Sequence, residues 1–182
     1  MISEDSQKYL INIARNSVLF MLNNSSEPTI RDLGIPTDPL MGERRGVFVT
    51  IKQGGKLRGC IGSVVANRTL VEQVIYQSIN AAFRDERFSP ITLEDIETIS
   101  FEISILTPAE DVKYLKDIKL YKHGIIIEKN NKRALFLPKV ARENNWDMKT
   151  TLTRLCDKAG LNHDDWKSGA KFEVFESFDF KE

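Results

Sequence analysis

The residues best equipped for chemistry lie in one short run, Leu57-Arg58-Gly59-Cys60-Ile61-Gly62. A thiol attacks as its thiolate, and a nearby guanidinium favours that form. On an extended strand, alternation sets Arg58, Cys60 and Gly62 on one face, with side chains i and i+2 roughly 7 Å apart. Arg58 is therefore the expected electrostatic activator of Cys60, the nucleophile or covalent carrier. Gly59 and Gly62 are poor strand formers and often mark a close backbone approach, so a ligand is expected to meet the backbone there. The same run admits a plainer account. Cys60 would be a small buried hydrophobe, and the glycines would make room for a packed helix. Sequence alone leaves both accounts open.

Other candidates are fewer. Arg84-Asp85-Glu86-Arg87 precedes Phe88 and reads either as a solvated turn with weak ion pairs or as a second wall. In the second case Arg84 or Arg87 would bind an anionic group through its planar fork, with Arg87 and Asp85 as the wall candidates. His123 would orient or deprotonate Cys60 if the fold brought the two together. His163-Asp164-Asp165-Trp166 reads as a helix start with acidic residues in its first turn. Cys156 has helical spacing with Leu152, Leu155 and Ala159 and is expected in the core, and Trp146 and Trp166 as core or edge aromatics. There is no CxxC or HExxH pattern, and neither phosphate-cradle motif, GxxxxGK[ST] or GxGxxG, occurs. No metal site, nucleotide or other cofactor is expected.

These side chains need elements to hold them. Residues 6–22 carry apolar positions at helical spacing. Residues 23–45 hold Pro28, Pro36 and Pro39 among glycines and asparagines and predict a long loop. Residues 46–52 and 57–65 read as strands joined through Gly54-Gly55. Thr69 and Glu72 form a capping box opening a helix to about residue 84. A helical turn over 92–96 and a strand over 99–106 follow. Short strands are expected at 118–121, 124–129 and 133–137, then a helical segment at 138–143. Asp147 should cap a helix ended by Gly160 in a left-handed C-cap. Residues 171–180 alternate as one closing strand. Hairpins mixed with helices, without a βαβ rhythm, predict an α+β fold: a largely antiparallel sheet with flanking helices.

Composition narrows the function classes. The 182 residues suit one domain spanning 1–182, or two intertwined subdomains. Lys plus Arg equals Asp plus Glu at 26 each, so the chain lacks the global positive field of a non-specific nucleic-acid binder. No apolar run approaches the ~20 residues of a membrane span. No secretory leader is evident. Two cysteines form no disulfide framework, and a reducing cytoplasm is the expected compartment.

The run Leu57 to Gly62 resembles the signature of the AMMECR family, and five further segments are similar to that family in order. They are residues 81–90, 102–108, 123–127, 134–140 with 146–147, and 155–161. Glu86 and Ser89 stand where the family usually has proline, and Asn145 where it usually has glycine. The resemblance implies an α+β protein of two subdomains with a cleft between them. It also implies association with a Memo-like protein and a radical-SAM protein, whose genes often neighbour those of the family's microbial members.

Two readings follow. One is a cysteine-centred small-molecule-binding or catalytic protein, with Cys60 and Arg58 at its centre and Gly59, Gly62, Asp85, Arg87 and His123 around them. The other is a non-catalytic adaptor, which presents residues 23–45 and the closing strand to a protein partner. Nucleic-acid binding is a weaker third.

Overall fold

The computed structural model describes residues 2–34, 36 and 38–182. Its strands are β1 (Val47–Gln53), β2 (Lys56–Ser63), β3 (Ile99–Leu106), β4 (Glu110–Val112), β5 (Gly124–Lys129), β6 (Lys132–Phe136), β7 (Lys171–Phe175) and β8 (Ser177–Lys181). They build two four-stranded sheets, ordered β2-β1-β3-β8 and β4-β7-β5-β6. The β1–β2 and β1–β3 pairs are antiparallel, as are the three pairs of the second sheet. With the flanking helices this is an α+β fold. The chain divides into two units, one of residues up to Leu106 with 178–182, the other Thr107–Ser177.

In the first unit, α1 (Glu4–Asn24) begins where the Ser3 side chain accepts the Ser6 N–H at 3.2 Å. It buries Leu10, Ile13, Ala14 and Val18. The described part of residues 23–45 holds more regular structure than its prolines predict. Thr29 and Asp32 form a capping box over α2 (Ile30–Leu33), and Asp38 caps a 3-10 turn at Pro39–Gly42. Proline suits the first position of such a turn, where no N–H is needed. Ile35 and Thr37 of the expected loop lie outside the described residues. Gly54 and Gly55 have φ of +55° and +78°, as the expected tight hairpin requires. The Thr69–Glu72 capping box opens α3 (Leu70–Phe83) as expected. Val47, Val49 and Ile51 of β1, Phe101 and Ile103 of β3, and the inward faces of α1 and α3 make the core.

In the second unit, Asn130 and Asn131 turn β5 into β6 with φ of +51° and +60°. After β6 come α4 (Pro138–Glu143) and α5 (Met148–Ala159), the latter ended by Gly160 at φ +68°. Ile125, Ile127, Leu152, Leu155 and Phe172 form its core. Three expectations change. Residues 118–121 end in a turn, not a strand, with Ile118 buried in the core. Residues 92–96 form a hydrogen-bonded turn in which the Asp95 carboxylate accepts the Thr92 N–H at 2.9 Å. The closing stretch 171–180 is two strands separated at Glu176, with β7 in the second sheet and β8 in the first. Among the described residues, no helix is long and apolar enough to cross a membrane.

Candidate functional site

Strand β2 is the outer edge of the first sheet, so one side of its backbone has no neighbouring strand. Such an edge leaves N–H and C=O groups that another chain could pair with, and proteins block it. At Cys60 the block is made by two side chains. The Cys60 N–H donates to Asp85 Oδ2 at 2.8 Å, and Arg87 Nη2 donates to the Cys60 carbonyl at 3.0 Å. The Asp85–Arg87 pair thus imitates one residue of an adjacent strand.

The end of α3 positions this pair. The Arg84 N–H closes the helix on Asn80 O at 2.9 Å, and the Phe88 N–H closes a turn on Asp85 O at 3.0 Å. Within the turn Arg87 Nε donates to Asp85 Oδ1 at 2.8 Å and Nη2 to Oδ2 at 2.6 Å. Bidentate charge-assisted bonds of this kind fix geometry as well as adding energy. The Asp85 side chain is 3% exposed, while that of Arg87 is 58% exposed. Arg87 holds the Asp85 carboxyl below the usual carboxylate range, against the opposing effect of burial, and the Cys60 amide adds to the lowering. Asp85 in turn raises Arg87, opposed by burial, with a small contribution from the charge Cys60 can carry.

Cys60 itself is half-buried. Its cross-strand partner is Thr50, and Sγ lies 3.3 Å from Thr50 Oγ1. Turning its peptide groups outward makes Cys60–Thr50 the kind of antiparallel pair whose side chains approach most closely. Glu102 of β3 is the next residue in that row, and its carboxylate pairs with Lys52 at 3.0 Å. Thr50 escaped the sequence reading because the pairing register was not visible there.

Arg58 is placed differently from expectation. The register steps from Ile51↔Gly59 to Lys52↔Leu57, which leaves Arg58 as the extra residue of a β-bulge. A bulge re-aims its side chain and breaks strict alternation. Arg58 Nη1 donates to Ser89 O and Nη2 to Pro90 O at 3.2 Å, and the guanidinium lies 3.6 Å from Asp95. It braces the 89–95 segment. The guanidinium that meets the Cys60 backbone is that of Arg87.

The glycines answer to packing. A Cβ at Gly59 would stand 2.1 Å from Ala81 O of α3, and one at Gly62 would stand 2.2 Å from Phe48 Cγ. Space expected for a ligand is filled by the protein at both. His123 belongs to the second unit, where its Nδ1 accepts the Lys119 N–H at 3.1 Å and burial lowers its pKa. Cys156 is fully buried, which raises its thiol pKa. His163 precedes only a 3-10 turn at Asp165–Lys167. Among the described residues, no three His, Cys, Asp or Glu side chains group as a metal site.

The fold and the clamped cysteine define an α+β protein with a half-buried cysteine on a blocked sheet edge. The chain belongs to the AMMECR1 family, whose model matches residues 11–180. It is 39% identical to a protein of Methanosarcina acetivorans over all of this chain and 94% of that one. It is 41% identical to a protein of Methanocaldococcus jannaschii over 79% of this chain and 76% of that one. The crystal structure of an uncharacterized protein from Pyrococcus horikoshii superposes with a TM-score of 0.92 at 33% identity, covering all of this chain and 93% of that one.

Proposed function

We propose that Cys60 is the reacting or ligand-contacting group of a small-molecule site, with Arg87 as its cationic partner. One observation carries the reading. The Asp85–Arg87 fork grips both peptide groups of Cys60, yet the residue stays only half-buried and the guanidinium on its carbonyl is mostly exposed. Nε and Nη2 of Arg87 are spent on Asp85 and the Cys60 carbonyl, and Nη1 has no hydrogen-bond partner among the described residues. A thiol beside an available cationic donor suits a ligand that joins an electrophilic carbon to a carboxylate or phosphate.

Alkylation of the native protein tests this. Cys60 should react and the buried Cys156 should not. Arg87→Ala should slow reaction with anionic iodoacetate more than with neutral iodoacetamide, and Arg58→Ala should leave that ratio unchanged. Native Cys60 reacting no faster than Cys156 would end the proposal.

A further inference from the structure

A second site lies along the first half of α3, shares no lining residue with this chemistry and does not depend on Cys60. Residues 27–31 and the first half of α3 enclose a groove of about 660 Å³, within the range of small-molecule sites. Its floor is apolar. Pro28 and Ile75 are buried, and Ile30 and Tyr76 are half-buried. Its charged groups are unevenly committed. Glu27 is paired with Arg84, and Glu72 Oε2 accepts the Thr69 N–H and hydroxyl at 2.9 and 2.7 Å in the capping box. The two guanidiniums of the lining, Arg31 and Arg68, have no carboxylate or carbonyl hydrogen-bond partner among the described residues. Arg68 sits over Tyr76, with Cζ 3.9 Å from the ring centroid. Stacking leaves the planar edge of a guanidinium free to donate. Arg84, from outside the lining, neutralises Glu27, and Glu72, committed to the cap, feels the charge of Arg68, so one guanidinium charge of the lining is left over and the groove complements negative charge.

We infer that this groove binds a small organic anion, an apolar or aromatic body bearing a carboxylate, sulfonate or phosphate. The body would lie on Pro28, Ile30, Ile75 and Tyr76, and the anionic group would meet Arg31 and Arg68. An apolar lining gives affinity, and guanidinium donors at its edge fix orientation.

Anilinonaphthalene sulfonate is a suitable probe, with neutral phenylnaphthylamine as its uncharged counterpart. The folded 182-residue chain should bind the sulfonate saturably at one equivalent. Arg31→Ala and Arg68→Ala should each weaken it roughly tenfold, the scale of a charge-assisted hydrogen bond. The neutral compound should bind the variants within about twofold of wild type, since its contacts are with the floor. Amide NMR shifts on titration should cluster at residues 27–31 and 68–76. Arg31 is exposed, so its variant carries the test even if Arg68→Ala disturbs the fold. Unchanged sulfonate affinity in both variants, no saturable binding to wild type, or shifts centred elsewhere would overturn the inference.

Discussion

Asp85 concentrates the most interaction in the fewest atoms. One nearly buried carboxylate accepts from the Cys60 amide, the Arg87 amide and the Arg87 guanidinium. Asp85→Asn swaps one acceptor oxygen for a donor that faces other donors. It should destabilise the first unit by about 1–3 kcal/mol, the cost of leaving buried polar groups unsatisfied. Because the folded carboxyl titrates below its unfolded value near 3.9, its stabilisation is present above that pH. It fades as acidification passes below ~4 toward the folded value, so urea midpoints of wild type and variant should converge there. Gly59 makes a second residue-scale case. Ala at 59 would push Cβ into a backbone carbonyl of α3 that cannot swing aside, at a cost of about 1–3 kcal/mol or more. Gly54→Ala meets no atom within 4 Å, and its strain comes from φ alone. A thermal melt of the two variants separates packing from backbone strain. An unusual cysteine run was legible in the residues themselves. Which guanidinium served it was not. An unbroken hairpin from Gln53↔Lys56 sets Cys60 opposite Val49, whereas the bulge at Arg58 sets it opposite Thr50. No local residue preference marks that one-residue step.

Elements with strong local signals matched their sequence patterns. The Gly54-Gly55 and Asn130-Asn131 hairpins, the Thr69–Glu72 box and the Gly160 cap each depend on backbone angles that few residues adopt, or on side chains that satisfy helix ends. Elements set by distant partners were harder. β7 and β8 alternate as one strand, and only the separate sheets they join reveal the break at Glu176. β4 is three residues whose pairing with β7 no short-range pattern announces. The turn before β5 shows how one side chain can define an element. The His123 N–H donates to Lys119 O at 2.9 Å, while its ring accepts the Lys119 N–H at 3.1 Å. Only the unprotonated Nδ1 can accept. Burial lowers the folded pKa, while Glu176 and Glu110 pull it up and Lys122 and Lys119 push it down. The unfolded ring takes its proton first, near 6.5, so this turn should lose stability as pH falls from about 6.5 toward the lower folded value. His123→Gln keeps an acceptor without a titration. It should flatten the dependence of the urea midpoint between pH 7.5 and 5.5, both pH values being about one unit from the ordinary histidine pKa.

At the scale of the molecule, zero net charge is a balance between unequal parts. Residues 107–177 hold 14 Lys and Arg against 11 Asp and Glu, and the remainder holds 12 against 15. Neither excess approaches the concentrated positive field that non-specific nucleic-acid binding uses, so the split by unit adds no support to that third reading. The chain path matters more. The first unit is interrupted after Leu106 and completed by residues 178–182, with the whole second unit lying between them in sequence. Those five residues contribute more than their number suggests. Phe180 is 8% exposed within the first unit's core, and β8 extends the sheet beyond β3. The Glu182 carboxylate holds Arg15 of α1 in a fork at 2.8–3.0 Å, and its N–H donates to Phe101 O at 3.2 Å. Arg15 also donates to the carbonyls of Ile96 and Ile99, so the fork joins α1 to the start of β3. Removing 178–182 should expose the β3 edge, empty the Phe180 site and release Arg15. The Phe180 site alone is worth about 3–5 kcal/mol, a large share of the stability of an ordinary domain. Truncation after Ser177 should therefore lower the urea midpoint sharply and lift hydrogen-exchange protection along β3, while Glu182→Gln should cost under ~1 kcal/mol because its ion pair is part-exposed. A truncated chain with an unshifted midpoint would mean that β1, β2 and β3 with α1 and α3 are a sufficient core without the fourth strand.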